Sequence, residues 1–224
     1  MATTRVISIA NQKGGVGKST VTMLLASALA KQKKKKVLIL DTDSQASVSS
    51  WLDSERNLYD GDPLVEVESY QPRKVMDFLK RFGSDYDVIF IDIPRMTDNS
   101  KDSATVMLLY MCDSVLIPVI GSQLDVLSTN NFASLVKEAA EEKKSMDFDY
   151  RYFGFINRDN QRKDNEQARK VLVNRVGLPM LDASLKDLKL FTTPSLYESI
   201  LDTAEGRRRF EPFFNEVLKK LKIK

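Results

Sequence analysis

Lys13-Gly14-Gly15-Val16-Gly17-Lys18-Ser19-Thr20 decides the reading of this chain. The apolar run Val6-Ile7-Ser8-Ile9-Ala10 precedes it, and behind it Val21, Leu24, Leu25, Ala28 and Leu29 recur at helical spacing. A strand, a glycine loop and a helix form the context of a phosphate-binding loop. The glycines let backbone N–H groups close around phosphate oxygens without Cβ clashes. The helix that follows turns its positive end toward the same anion. Lys18 is placed to reach β and γ phosphates, and Ser19 to set its hydroxyl on a magnesium ion.

The common form of this loop starts with glycine where Gln12 stands here, and it lacks a lysine at the position of Lys13. The form with two lysines resembles the deviant Walker A loop of the ParA/MinD superfamily of ATPases. That resemblance implies ATP and Mg²⁺ as ligands, with Gly14, Gly15, Val16, Gly17, Lys18, Ser19 and Thr20 around the phosphates. It also implies that Lys13 reaches the nucleotide of a second subunit.

Composition sets the outer bounds. The 224 residues suit one α/β domain, 1–224, with length enough for a core. No stretch approaches the ~20 apolar residues of a membrane span. Met1 to Arg5 runs straight into the first strand, so no signal peptide is expected. The single Cys112 fits a reducing cytoplasm, and with no histidine present a zinc site or histidine-based catalysis is not expected. A net charge of +3 leaves any contact with nucleic acid to local basic clusters. Lys33 to Lys36 is one cluster, read as a solvated helix end.

Val37-Leu38-Ile39-Leu40 and Val88-Ile89-Phe90-Ile91 are continuous apolar runs, as expected of parallel strands buried on both faces. The first ends in Asp41-Thr42-Asp43-Ser44-Gln45, where open α/β sheets bind ligands. Read alone, the two aspartates suit either a hydrated metal ion with its attacking water or a helix cap. The family carries an Asp-x-Asp-x-Gln signature there, which implies that Asp43 polarises water and Asp41 supports the metal. The second run ends in Asp92, which resembles a Walker B aspartate holding magnesium. Pro94-Arg95-Met96 then stands where the family has its second switch loop.

Leu64–Val67 reads as a short strand in a polar connection from Ser54 to Gln71, and Val75–Phe82 as a short helix. Ser103–Met111 and Val126–Lys144 read as helices, and Ser114–Val119 as a strand. Tyr152-Phe153-Gly154-Phe155-Ile156 is a last strand, ending in Asn157 and Arg158. An amide there can read a purine edge, or the pair can cap the loop. The resemblance favours contact with adenine, with Pro194 in the turn beside the base.

Basic residues gather late in the chain. Relatives carry cations at positions matching Lys186 and Lys189, some of which contact DNA. Arg207, Arg208 and Arg209 open the final helix, where cations oppose the helix dipole, so an external anion such as DNA phosphate is expected. Phe210, Phe213, Phe214, Val217, Leu218 and Leu221 form its apolar face.

The expected fold is a doubly wound, mainly parallel sheet with helices on both faces. The chain resembles the small ParA form, without an N-terminal DNA-reading domain. That implies a cytoplasmic, nucleoid-associated ATP homodimer that binds DNA without sequence preference and is stimulated to hydrolyse by a partner protein. Its purpose would be segregating or positioning a plasmid, chromosome or other cargo. The alternatives are a MinD-like ATPase docking on membrane through its last helix, and a metabolic kinase or ligase.

Overall fold

The computed structural model describes residues 4–94, 103–121, 123–160 and 163–223. Six strands form one sheet: β1 (Arg5–Ile9), β2 (Val37–Asp41), β3 (Glu66–Ser69), β4 (Val88–Asp92), β5 (Ser114–Val119) and β6 (Arg151–Ile156). Their order is β3-β2-β4-β1-β5-β6, and every adjacent pair is parallel. β2, β4 and β5 are buried along their whole length, which is why they lack polar alternation.

Side chains alternate between two cores. Ile7, Ile39, Phe90 and Leu116 face α1 (Lys18–Lys33), α2 (Ser47–Glu55) and α7 (Ala204–Leu221). Leu38, Leu40, Ile89 and Ile117 face α3 (Val75–Phe82), α4 (Ser103–Met111) and α5 (Gln123–Ser145). α6 (Lys163–Val171) follows β6. This is the expected doubly wound architecture. The chain leaves β1 through α1 for β2 on one side, while β5 lies on the other side of β1. Strand order therefore reverses at β1, and the crevice beyond its carboxyl end is where such sheets bind ligands.

α1 is buried from Val21 to Leu29, including Thr22 and Ser27, rather than along the stripe its spacing suggests. It lies within the core between the sheet and the turn before α7. On α7 the expected apolar face is buried: Phe213 meets Phe155 at 5.0 Å between ring centroids, and Phe210 meets Phe213 at 5.9 Å.

Two local expectations change. The short strand lies two residues later than expected, because Val65 is committed to the core and the Leu64 amide donates to the Leu196 carbonyl at 2.8 Å. α2 is an element that the sequence pattern does not announce. Val48, Leu52 and Glu55 are its buried residues, at helical spacing within a polar stretch. The lysine turn is structural: Lys34 is a left-handed cap, Lys35 pairs with Asp87 at 3.5 Å, and Lys36 with Glu66 at 3.7 Å. Arg95 and Met96, in the expected second switch loop, lie outside the described residues.

Candidate nucleotide site

The loop after β1 is held from both sides. Asn11, buried, donates to the Pro118 carbonyl at 2.8 Å and accepts from the Lys13 amide at 3.3 Å. Gly15 and Gly17 adopt left-handed φ angles of 75° and 92°. Gly17 is the N-cap of α1 and has no side-chain cap, so an anion can take that place. Val16 is buried, and its carbonyl accepts from Asn157 Nδ2 at 2.8 Å.

Below the loop lies an acidic centre. β2 and β4 pair Asp41 directly with Asp92 at their carboxyl ends. Ser19 Oγ donates to Asp92 Oδ2 at 2.7 Å. Asp41 Oδ2 accepts from the Val48 and Ser49 amides at 3.1 and 2.9 Å, fixing the start of α2. Of the two roles its sequence context allows, the helix cap is the one seen here, made by one oxygen. Its other oxygen, Oδ1, is buried without a hydrogen-bond partner, as is Asp92 Oδ1. Burial pushes the Asp92 carboxyl up to about 7, against the lowering effect of Ser19, with Asp41 adding to the rise. Two orphaned buried carboxylate oxygens beside a serine hydroxyl fit a hydrated Mg²⁺. Among the described residues no group of three or more acidic, cysteine or histidine side chains could hold a metal alone. A cation here would draw its remaining ligands from water or phosphate.

Two adjoining clefts meet at Gly17, Thr20 and Arg158. The first, about 800 Å³, is lined by Gly15, Lys18, Ser19, Asp43, Gln45 and Trp51 among others. Lys18 is buried there, and Asp43 is half-buried in a tight turn, its carbonyl accepting from the Ala46 amide at 2.9 Å. The second, about 470 Å³, is walled by Asn157, Leu185, Lys186, Leu188, Phe191 and Thr192. The first lies at a helix N-terminus with Lys18 and Arg158 in its lining; the second sets Val21, Leu24, Leu185, Leu188 and Phe191 among polar side chains.

The sequence-expected residues fall into three groups. Lys18, Ser19, Thr20, Asp41, Asp43 and Asp92 converge with the glycine loop, and Arg158 lines both clefts. Asn157 lines the second cleft, and its amide nitrogen donates one hydrogen bond to the loop. Pro194 is buried beyond the cleft linings, its carbonyl accepting from Trp51 Nε1 at 2.9 Å. The remaining basic residues are dispersed. Lys186 lines the second cleft and pairs with Asp159 at 2.5 Å, only one-third exposed. Lys189, Arg207, Arg208 and Arg209 are exposed, and Arg208 pairs with Glu205 at 3.8 Å. Arg207 Nη1 donates to the Leu201 and Asp202 carbonyls at 2.8 and 3.3 Å, so the turn before α7 supplies an internal acceptor for a cation at the start of the helix. Trp51 and Glu55 are not among the expected site residues, because α2 itself is hidden in a polar stretch. Glu55 is a buried carboxylate accepting from the Leu196 amide at 2.8 Å.

A parallel sheet with a phosphate loop at its switch point defines an α/β nucleotide-binding protein of the phosphate-loop class. Residues 7–200 match the model of the CobQ/CobB/MinD/ParA nucleotide binding domain, and the chain belongs to that family. It is 24% identical to the maintenance of carboxysome distribution protein A of Halothiobacillus neapolitanus, over 80% of this chain and 78% of that one. It is 28% identical to the chromosome-partitioning ATPase Soj of Thermus thermophilus, over 69% of each. Among solved structures, an ATP complex of a Cyanothece McdA variant superposes with a TM-score of 0.76 at 17% identity, covering 100% of this chain and 98% of that one. Cobyrinic acid a,c-diamide synthase from Mycobacterium smegmatis, with ATP analogue and magnesium, gives 0.72 at 19%, covering 98% and 96%. These two structures share the fold.

Proposed function

We propose that this chain is a Mg²⁺-dependent ATPase that works as a dimerising switch to position or partition a cargo. The observation that carries the reading is the acidic centre at the loop: Ser19 on Asp92, with two orphaned carboxylate oxygens below Lys18 and the N-terminus of α1. Bound Mg²⁺ would neutralise charge on the β and γ phosphates. Lys18 and the loop amides hold the phosphates, and Ser19 and Asp92 hold the cation. Asp43 orients water for in-line attack, with Asp41 fixing the turn that carries it. Lys13 serves the nucleotide of the partner subunit. The named roles of relatives in carboxysome distribution and chromosome partitioning support a positioning role.

The ATP dimer would bind duplex DNA through phosphate contacts, and an adaptor protein would stimulate its slow hydrolysis. Exposed Lys189, Arg208 and Arg209 are the candidates for those contacts. Lys186, only one-third exposed on Asp159, and Arg207, bonded to two backbone carbonyls, are assigned structural roles; the pair of Arg208 with Glu205 is long and solvent-exposed and leaves Arg208 a candidate. Of the two alternatives, membrane docking through α7 is disfavoured, because its apolar face is already spent in the core. No helix among the described residues is long and apolar enough to cross a membrane. Co-sedimentation with Mg²⁺-ATP tests the choice. Binding to unrelated duplexes and not to anionic liposomes supports the reading; the reverse favours the membrane switch. Transfer of phosphate to a metabolite would instead favour the kinase or ligase.

A further inference from the structure

The base-side wall, Leu185 to Thr192, is anchored at both ends by different elements. At its start, the Leu185 amide donates to the Ile156 carbonyl at 3.0 Å, and the Asp159 amide to the Leu185 carbonyl at 2.8 Å. Those bonds tie it to β6. Within its length Phe191 packs on Phe210 of α7, with ring centroids 6.1 Å apart. Beyond its end, several ties lead to α2 or the segment after it. Trp51 Nε1 donates to the Pro194 carbonyl, Glu55 accepts from the Leu196 amide, and the Leu64 amide donates to the Leu196 carbonyl. Tyr59 stacks on Tyr197 with ring centroids 4.9 Å apart. α2 is itself fixed to the end of β2 by Asp41.

Trp51 is distinguished within this set. It lines the phosphate-side cleft, yet its indole N–H is bonded to the chain that forms the base-side wall. We propose that Trp51 is a positioning residue that holds the base-side wall in register with the phosphate-side cleft. Its hydrogen bond carries the rigidity of α2 across the crevice to the loop that receives the base. Without that bond the wall is held by its remaining ties alone, and the cost of fixing it when nucleotide binds falls more on the base than on the phosphates.

This inference rests on the nucleotide-binding reading above, and the test separates the two. Trp51→Phe keeps an apolar ring and removes the donor. A benzothienyl isostere at position 51 keeps the whole bicyclic shape and also removes it. Binding of Mg²⁺-ATP and of Mg²⁺-tripolyphosphate, which has no base, is measured by calorimetry for the parent and both variants. The expected result is roughly tenfold weaker ATP binding in both variants, with a much smaller loss for tripolyphosphate. Unchanged ATP affinity overturns the proposal, as does an equal loss for both ligands. If Trp51→Phe does not fold, the isostere alone decides. A parent that binds neither ligand defeats the nucleotide reading itself.

Discussion

Asn157 fills the space that a side chain on Gly17 would need: a Cβ there would lie 2.4 Å from Asn157 Nδ2. The same amide group holds the Val16 carbonyl at 2.8 Å, so the end of β6 braces the phosphate loop from behind. Gly17 also has φ 92°, which a side chain resists. Gly17→Ala should cost about 2 kcal/mol of stability and abolish ATP binding. Asn157→Ala should fold but bind ATP more weakly, since the loop loses its brace. Thermal unfolding and ATP titration of both variants check this.

The arginines at the start of α7 should divide by role. Arg207→Ala should lower stability by about 1 kcal/mol, through loss of its hydrogen bonds to the Leu201 and Asp202 carbonyls, and leave DNA affinity near the parent level. Joint replacement of Lys189, Arg208 and Arg209 should do the opposite. For every DNA phosphate that is no longer neutralised, the slope of log affinity against log salt should flatten by about 0.9. Urea unfolding and DNA binding across a salt series separate the two outcomes.

Asp92 gives the apo chain a pH dependence. Its folded value, about 7, lies above its ordinary 3.8, so the folded state keeps a proton that the unfolded state releases between those values. The contribution of this group to stability therefore falls as pH rises through that window and is flat above it. Mg²⁺ needs the ionised carboxylate, so Mg²⁺-ATP affinity should rise from about pH 6 to about pH 8. Asp92→Asn should remove its share of both trends, as followed by unfolding and by titration at several pH values.

Much of the fold and site is legible in the sequence because it is local. The loop, the buried runs of β2, β4 and β5 and the apolar face of α7 depend on spacing within one element, and all form as expected. What is not legible depends on contacts between distant segments. Arg207 is unfavourable at a helix start by the dipole alone, because its acceptors on the preceding turn are invisible to helix periodicity. Lys186 reads as a solvent-facing cation until the fold brings Asp159 beside it. α2 is hidden in a polar stretch, stabilised by Asp41 from the end of another element.

Lys18 and Asp43 should separate binding from turnover. Lys18→Ala should abolish ATP binding, since the buried cation of the loop is lost. Asp43→Ala should bind ATP near the parent level and hydrolyse it at least about 100-fold more slowly. Calorimetry with single-turnover phosphate release checks both. Normal turnover by the Asp43 variant would move the water-orienting role to Asp41.

Light scattering of the Asp43→Ala protein with and without Mg²⁺-ATP, beside the same protein also carrying Lys13→Ala, tests the switch most directly. The expected result is a molar mass that doubles on adding ATP when Lys13 is present and stays monomeric when it is replaced, with ATP still bound. An ATP-bound monomer in the first protein, or an undiminished dimer in the second, would contradict a switch built on a lysine shared between subunits.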